Sequence, residues 1–480
     1  MELGIIGDGA SVVIVLNSIL KNTTCSNISS ITIYAARPKI GPGRAYQNDI
    51  HKALMNLPNS SLSLKNQESE YIKWCQRHPL LSNTIQVKKH EYSPRKIFGR
   101  YIAYTFLETM SEIKSKGVEV KIFNKPATSI DECKGKYIVN RQDSSQKTVN
   151  KLILGFGTSK PKDFYNLANN QGYIASVYPL SESLYRILDK DRVAIIGSGL
   201  TAVDIAKSLL EGGHKGRIFM ATRYGNLPRV RNALAEYHLT HTNMEILTGE
   251  ISDSINIARQ VYKEIYKIAK KEHIELEHFK QHFLSRLTPE ERLSHSLLLA
   301  NSGENTLETI LKILHPNIEK IWQKMSNRQA ALFLDKWERR FRSFMNPMPI
   351  ETANTLKKAI QKGQLVILSG TQSINKNRYD EFDIRHNKGI SFADKVYNAA
   401  SPEYESYGFI PSNKKILERF SPCKGEHSMY FNSLSIDPST GSLKSNPDIY
   451  LIGQPTANFY YLTNSLEALS RQANIISKSL

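Results

Sequence analysis

Two glycine-rich turns carry the residues whose types and spacing could bind a nucleotide. One turn reads G-D-G-A and follows an apolar run over 3–6, and the other reads G-S-G-L-T-A and follows an apolar run over 193–196. A helical pattern comes after each. In such a turn the first glycine permits a tight bend, the second lets main-chain N–H groups approach a pyrophosphate, and the helix N-terminus attracts the phosphates. The residues expected there are Gly7, Gly9, Ala10 and Ser11 in the first turn, and Gly197, Gly199, Leu200 and Thr201 in the second.

The repetition of this turn is more informative than either copy, because a single glycine-rich turn also occurs in ordinary strand-to-helix connections. Two copies in one chain suggest two dinucleotide sites, which is what a flavoprotein using FAD and a nicotinamide cofactor needs. The first copy departs from the usual pattern, since Val12 stands where a third glycine is common. The next strand also ends in Ala35-Ala36, where an acidic residue commonly holds the ribose. The adenosine end of FAD would then be held by Arg37, Arg44 or main-chain groups.

The strand after the second turn indicates which nicotinamide cofactor is used. It covers 216–220 and runs into A-T-R-Y-G-N-L-P-R at 221–229. An arginine at this strand end, in place of an acid, suits the 2′-phosphate of NADPH. Arg223 and Arg229, which lie in the same stretch, are therefore expected to bind the cofactor. A surface arginine at a strand end is the alternative for Arg223.

Length and composition are those of a globular protein with two or three domains. The chain has 480 residues, of which 40% are hydrophobic and 23% charged. No run approaches the roughly 20 apolar residues of a membrane span, and the amino terminus does not resemble a signal peptide, so a soluble cytoplasmic protein is expected. The net charge of +19 favours a lysine-rich solvated surface over a nucleic-acid or lipid site, because no dense basic block with interleaved aromatics is present.

The cysteines and histidines suggest neither a redox dithiol nor a metal site. The four cysteines contain no C-x-x-C pair, which argues against the disulfide-reductase class of flavoproteins. His238, His241 and His295 lack the spacing of metal ligands, so no metal is expected.

Four short motifs, in order along the chain, carry a resemblance to a known family. They are G-D-G-A at 7–10, G-P-G-R-A-Y at 41–46, L-M-N-L-P at 54–58 and P-R-x-x-F-G-R-Y at 94–101. This order resembles the FAD-NAD(P)-binding family of bacterial flavoproteins, which is related to the ornithine and lysine N-hydroxylases and the flavin-containing monooxygenases. Segments 152–157 and 393–402 resemble the family's A-T-G strands in altered form, and 449–454 resembles the strand that closes its FAD site.

The resemblance implies an α/β fold with two Rossmann-like dinucleotide-binding domains, one for FAD and one for NADPH, and a mainly helical insertion. The expected order is the FAD domain at 1–165, the NADPH domain at 166–249, the helical insertion at 250–345, the return of the NADPH domain at 346–400 and the return of the FAD domain at 401–480. Further residues expected at the FAD site are Asn56, Arg95, Gly453, Gln454, Thr463 and Asn464. Asn56 is the one catalytic candidate, and a structural turn asparagine is equally consistent with it. The family reads S-R-R-G-x-x-P at 222–228, so Arg223 carries over and Tyr224 replaces the neighbouring arginine.

The resemblance also implies a reaction. NADPH would reduce the flavin, and a hydroperoxide at its C4a position would hydroxylate the nitrogen of a small amine or amino acid. A related flavin oxidoreductase without oxygen insertion fits the same residues. Two other interpretations remain: a binding or scaffold protein that has kept the fold and lost the catalyst, and a basic protein acting on nucleic acid, a membrane surface or another large anionic partner.

Overall fold

The computed structural model describes residues 1–22, 27–65, 67–82, 87–157, 161–232, 257–271, 273, 275–277, 280–281, 287–303, 306–401, 404–405, 408–409, 435–457 and 459–480. Cys25, Cys423, His238, His241 and the first residues of the expected helical insertion, 250–256, lie outside these ranges. The chain divides into two compact units. The first comprises 1–48, 59–160 and 402–480, and the second comprises 49–58 and 161–401.

The strands, in chain order, are β1 (Glu2–Ile6), β2 (Ser30–Tyr34), β3 (Glu119–Phe123), β4 (Ala127–Cys133), β5 (Lys136–Arg141), β6 (Gln146–Val149), β7 (Lys151–Leu154), β8 (Tyr173–Ile174), β9 (Val193–Ile196), β10 (Ile218–Thr222), β11 (Leu365–Ser369), β12 (Ser373–Lys376), β13 (Phe382–His386), β14 (Gly389–Ala393), β15 (Lys395–Asn398), β16 (Tyr404–Glu405), β17 (Gly408–Phe409), β18 (Ser442–Leu443) and β19 (Asn446–Leu451).

The helices are α1 (Ala10–Asn22), α2 (Glu70–Arg77), α3 (Pro79–Ser82), α4 (Arg95–Ser115), α5 (Leu180–Ser183), α6 (Leu200–Glu211), α7 (Ile257–Lys271), α8 (Pro289–Asn301), α9 (Thr306–Lys324), α10 (Asn327–Lys336), α11 (Glu338–Met345), α12 (Ile350–Gln361) and α13 (Leu466–Ser479). Short 3₁₀ turns cover Asn59–Ser61 and Gln454–Thr456. In the described part of the chain, no helix has both the length and the apolar character needed to cross a bilayer.

The first unit is built on a sheet of order β18-β19-β7-β1-β2-β3. Its strands are parallel from β19 to β3, and β18 is antiparallel to β19. β2 is buried along its whole length and β7 over its last three residues, as expected for a parallel sheet covered on both faces. Helix α1 packs against α4 and α13. Because the carboxyl ends of β1, β7 and β19 share one edge of the sheet, the segments that follow them meet there.

An antiparallel meander of β4, β5 and β6 is attached to the first unit. Tyr137 and Val139 of β5 point into a core shared with Leu152 and Leu154 of β7. The meander therefore shares its core with the main sheet of the first unit.

The second unit contains a parallel sheet of order β11-β10-β9-β15-β8. Its core includes Ile195, Met220 and Leu356, and Ala53 of the short segment 49–58 belongs to it. Asp49 links that segment to the second unit, because its carboxylate accepts hydrogen bonds from the main-chain N–H groups of Leu180 and Ser181, each at 2.8 Å. An antiparallel meander of β12, β13 and β14 precedes β15.

Helices α7 to α11 lie between β10 and β11 in sequence. Thr288 begins α8 with a capping box in which it pairs with Glu291, and Ser326 does the same for α10 with Gln329. The predicted fold class, α/β with two Rossmann-like parallel sheets and a mainly helical insertion, is confirmed.

Candidate functional site

The first glycine turn, between β1 and α1, has one crowded glycine and one open glycine. Gly7 has a φ of +148°, and an ideal Cβ on it would lie 2.4 Å from the carbonyl oxygen of Gly155. Gly7 therefore lets the turn pack against the end of β7. An ideal Cβ on Gly9 would meet no protein atom within 4 Å. The space beside Gly9, at the N-terminus of α1, is where a pyrophosphate could approach the N–H groups of Ala10 and Ser11.

The altered third position of this turn does not close that space. Val12 is fully buried, and its Cγ2 would lie 3.2 Å from a Cβ on Gly7. The valine side chain is thus part of the packing between α1 and β1. Since nothing lies near an added Cβ on Gly9, the turn remains compatible with a bound phosphate.

A loop over 41–46 lies against the first turn. The N–H of Gly41 donates to the carbonyl oxygen of Asp8 at 2.9 Å, and an ideal Cβ on Gly43, whose φ is +56°, would lie 3.2 Å from Cα of Gly9. The sequence motif G-P-G-R contains Gly43, but only the structure shows that this glycine lies against the first turn. Arg44 follows directly, so its main chain lies beside the same turn.

Arg95 is placed close to this loop by helix α4. Gly99 of α4 leaves no room for a side chain, because an ideal Cβ would lie only 1.7 Å from the carbonyl oxygen of Tyr46. Burial raises the pKa of Tyr46, and the positive charge of Arg95 opposes that rise. Of the predicted residues, Arg44 therefore lies within this loop and Arg95 lies near it, and the loop itself lies on the first glycine turn.

Asp8 supplies a carboxylate at the end of β2, where the sequence shows none. Its Oδ2 accepts the N–H groups of Ala36 at 3.0 Å and Arg37 at 2.9 Å. Its Oδ1 accepts from Nε of Arg37 at 3.1 Å and also pairs with Nη2. Asp8 is buried, whereas the Arg37 side chain is half-exposed. The predicted residue Arg37 is thus held at this strand end by an ion pair, and its exposed part faces solvent.

Gly453, after β19, completes the same edge of the sheet. An ideal Cβ on it would lie 3.5 Å from the carbonyl oxygen of Thr463 and 4.0 Å from Cβ of Ser11. Its N–H donates to Oε1 of Gln472 at 2.8 Å, and its carbonyl oxygen accepts from the Thr456 hydroxyl at 2.6 Å. Gly453, Thr463 and Ser11 are therefore neighbours, as the prediction of a shared FAD site requires.

The residues beside Gly453 differ in exposure. Oε1 of Gln454 is buried and has no hydrogen-bond partner within the described residues. A buried acceptor without a partner costs free energy, so this oxygen is available to a hydroxyl or N–H group of a ligand. Thr463 is buried, and Asn464 is exposed just before α13.

Asn56 lies in the second unit, within the segment 49–58. It is half-buried in a bend next to Met55, which is buried. Its role as a catalytic residue beside the flavin stays a prediction.

The second glycine turn, between β9 and α6, repeats the geometry of the first. Gly197 has a φ of +109°, and an ideal Cβ on it would lie 3.0 Å from the carbonyl oxygen of Ala399, after β15. An ideal Cβ on Gly199 would meet nothing within 4 Å. Leu200 and Thr201 begin α6 beside this open space. Each parallel sheet thus presents one open glycine at a helix N-terminus.

Arg223 follows β10, at the same edge of the second sheet. Its guanidinium carbon lies 5.2 Å from the centroid of the Phe164 ring, and Nζ of Lys162 lies 5.7 Å from that centroid. Both Arg223 and Tyr224 are exposed. The turn is held by Ser198, whose hydroxyl donates to the carbonyl oxygen of Asn226 at 2.7 Å. Arg223 is therefore exposed at the edge of the sheet where the second glycine turn also lies.

Arg229 is buried and forms an ion pair with Glu308. Its side chain is 1% exposed, and its Nη1 and Nη2 lie 2.6 and 3.0 Å from the two carboxylate oxygens of Glu308. Its Nε donates to the carbonyl oxygen of Phe344 at 2.9 Å. This burial and these bonds favour a structural role for Arg229 over contact with a cofactor.

Both glycine turns fit a dinucleotide, because each has an open cradle that a Cβ would begin to fill. The first also has an unpartnered buried acceptor beside it in Gln454. Among the described residues, no group of three or more His, Cys, Asp or Glu side chains is placed to hold a metal ion.

Comparison with known families bears directly on the first of these sites. Residues 4–159 match the model of the FAD-NAD(P)-binding family. The matched region contains the first glycine turn, the loop over 41–46, Arg95 and Gly155. The resemblance that the motifs indicated is thereby confirmed.

Solved structures share the fold over nearly the whole chain. An FAD-bound cadaverine monooxygenase of the desferrioxamine biosynthetic pathway from Erwinia amylovora has a TM-score of 0.61 at 11% identity, over 100% of this chain and 93% of that chain. An L-lysine 6-monooxygenase from Pseudomonas syringae has a TM-score of 0.59 at 12% identity, over 99% and 97%. An ornithine hydroxylase from Pseudomonas aeruginosa has a TM-score of 0.57 at 12% identity, over 99% and 97%. Likeness at these identities shows the fold alone. Comparison with curated proteins finds no match.

Proposed function

We propose that this protein binds FAD at the first glycine turn and NADPH at the second, and that it is a monooxygenase that hydroxylates the nitrogen of a small amine or amino acid. One observation carries the proposal. In each of two parallel sheets, the first glycine of the turn packs against a neighbouring strand end, while the second faces open space at a helix N-terminus. A chain with two such cradles is suited to hold a flavin and its reductant.

The residues at the first turn would bind and orient FAD. The N–H groups at the start of α1 would hold the pyrophosphate, supported by the positive charges of Arg44 and Arg95. The Asp8–Arg37 pair would shape the adenosine end, and the unpartnered Oε1 of Gln454 would accept a hydrogen bond from the cofactor. Bound FAD would supply the electron-transfer and oxygen chemistry, which needs no nucleophilic side chain from the protein.

The proposed substrate class comes from the structural neighbours. These are a cadaverine monooxygenase, an L-lysine 6-monooxygenase and an ornithine hydroxylase, and their named substrates are all small amines. The chain covers nearly all of each neighbour's length, so it has room for the same set of domains. Which amine is used depends on side chains around the flavin that differ between proteins of one fold.

The decisive experiment uses the purified full-length protein. We expect a flavin absorption spectrum that NADPH bleaches under anaerobic conditions, and a hydroxylated amine after oxygen is admitted with ornithine, lysine or cadaverine. Oxygen consumption with NADPH but no hydroxylated product from a broad amine panel would favour the oxidoreductase that inserts no oxygen. Protein that takes up no added FAD would contradict the proposal.

Replacing Arg223 by alanine should weaken NADPH binding about tenfold to a hundredfold and leave NADH binding almost unchanged, because only NADPH carries a 2′-phosphate for the guanidinium. The dissociation constants of both cofactors check this. Arg217→Ala is the matched control, since Arg217 is exposed just before β10, at the other end of that strand. Equal losses for NADPH and NADH in Arg223→Ala would remove the 2′-phosphate assignment.

A further inference from the structure

Tyr224 follows Arg223 directly after β10. The residue is 57% exposed. The guanidinium carbon of Arg339, the second residue of α11, lies 4.2 Å from the centroid of the Tyr224 ring. An arginine that is distant in sequence therefore lies over the ring next to Arg223.

The guanidinium of Arg339 has hydrogen-bonding capacity that the described residues do not satisfy. Its Nη1 is buried and has no hydrogen-bond partner within the described residues. The adjacent acid, Glu338, is paired with Arg342. Burying a guanidinium N–H without an acceptor costs free energy, which an anionic ligand would recover. A ligand that brings a hydrogen-bond acceptor to Nη1 would therefore satisfy a donor that the described residues leave without a partner.

Arg339 also lies within electrostatic range of Arg223. Burial lowers the pKa of Arg339, and the charge of Arg223 lowers it further, although Tyr224 and the acids Glu338 and Asp335 act in the opposite direction. Like charges held close together destabilise the protein unless something neutralises them. The fold nevertheless brings the two arginines together at the end of β10.

A third cation belongs to the same group. Lys162 and Arg223 both lie near the ring of Phe164. Within the described residues, the structure records no ion pair for Lys162, Arg223 or Arg339. Three cations without paired carboxylates, beside two exposed aromatic rings and a nucleotide-binding turn, suit a phosphate dianion on a nucleoside.

We propose that Arg339 is a second specificity-determining residue for NADPH, which binds the 2′-phosphate together with Arg223 while the Tyr224 ring holds its guanidinium plane in place. This inference rests on the proposed use of NADPH. The helical segment would thereby contribute to the cofactor site a residue that the dinucleotide-binding motif lacks. The planar fork of an arginine can donate two parallel hydrogen bonds to one phosphate, which a lysine cannot reproduce.

The test is calorimetric titration of the full-length protein with NADPH, NADH and the fragment 2′,5′-ADP. Arg339→Gln keeps a shorter, uncharged polar side chain, and Arg339→Ala removes the side chain beyond Cβ. We expect both variants to bind NADPH and 2′,5′-ADP about tenfold or more weakly and to bind NADH within about twofold of wild type. Arg339→Lys should recover only part of the loss. Arg328→Ala, an exposed arginine in the neighbouring helix α10, is the matched control and should change nothing.

The outcomes separate this inference from the proposed function. If wild type prefers NADPH, Arg223→Ala abolishes the preference and Arg339→Gln does not, the role of Arg339 is wrong and the proposed function stands. If wild type binds neither nucleotide, or binds both equally, the NADPH assignment fails and this inference fails with it. Equal losses for NADPH and NADH in Arg339→Gln, with a lowered melting temperature, would show that the stack on Tyr224 is only structural.

Discussion

Replacing Gly9 by alanine should leave the protein as stable as wild type while weakening FAD binding about tenfold or more. The added methyl group would meet no protein atom within 4 Å, so it can enter only the space that a pyrophosphate would occupy. The expected loss corresponds to one or two hydrogen bonds to a charged phosphate. Flavin content after dialysis, the dissociation constant for FAD and the melting temperature measure the two effects separately.

Gly7→Ala is the matched control for this prediction. Gly7 has a φ of +148°, and its added Cβ would lie 2.4 Å from the carbonyl oxygen of Gly155. The substitution should therefore lower the free energy of unfolding by at least about 1–3 kcal/mol through backbone strain. Unchanged FAD affinity in a stable Gly9→Ala protein would mean that the open space beside Gly9 is not the pyrophosphate site.

Replacing Glu308 by alanine should be the most destabilising single change among the ion pairs of the second unit, lowering the free energy of unfolding by about 3–5 kcal/mol. The Glu308 side chain is 3% exposed. It accepts hydrogen bonds from Nη1 and Nη2 of Arg229 and from the main-chain N–H of Asn232. Arg231 also pairs with it at 3.5 Å. Removing the carboxylate leaves a buried, uncompensated arginine. Urea unfolding at neutral pH measures the loss.

The same carboxylate gives the stability a predictable dependence on pH. Burial favours its neutral form, but the charges of Arg229 and Arg231 prevail and hold the pKa of Glu308 below its ordinary value of 4.5. A group whose pKa is lower in the folded state stabilises the protein above its unfolded-state pKa, and this contribution is lost as the pH falls through the folded-state value. The difference between wild type and Glu308→Gln should thus be full at neutral pH and shrink below about pH 4.5.

A surface pair provides the control for the Glu308 experiment. Glu467 pairs with Arg471 on α13, where both side chains are partly or largely exposed. Glu467→Ala should change the free energy of unfolding by less than about 1 kcal/mol, because water and salt screen exposed pairs. A Glu308→Ala protein no less stable than Glu467→Ala would contradict the structural role given to the Arg229–Glu308 pair.

The stretch from Ala221 to Arg229 shows which features of the second site a sequence pattern can predict and which it cannot. Its strand-end arginine, Arg223, is exposed at the edge of the sheet that carries the second glycine turn, and its binding of cofactor stays a prediction. Arg229, six residues later, has the same residue type and was predicted to bind cofactor as well. The fold instead buries it against Glu308, which is distant in sequence. Charge alone could not separate the two, because burial depends on which helix packs over each position.

The end of β2 shows the opposite case, in which the structure supplied a group that the local sequence lacks. Ala35-Ala36 predicts no carboxylate there, yet Asp8 reaches the N–H groups of Ala36 and Arg37 from the glycine turn. The position of Asp8 between two glycines gave a signal, since a charged residue is unexpected beside a phosphate. Only the parallel pairing of β1 with β2 shows that the two strand ends are adjacent.

The sequence by itself determined the two glycine turns, the alternation of apolar strands with helices and hence the fold class, because a tight strand-to-helix turn needs glycine locally and buried parallel strands need continuous apolar runs. Only the tertiary structure decided that Gly43 and Gly453 meet the first turn, that Arg229 is buried and that Arg339 stands over Tyr224. Each of these depends on contacts between segments far apart in the chain. Such contacts follow from how whole sheets and helices pack, and the local sequence around each residue does not predict them.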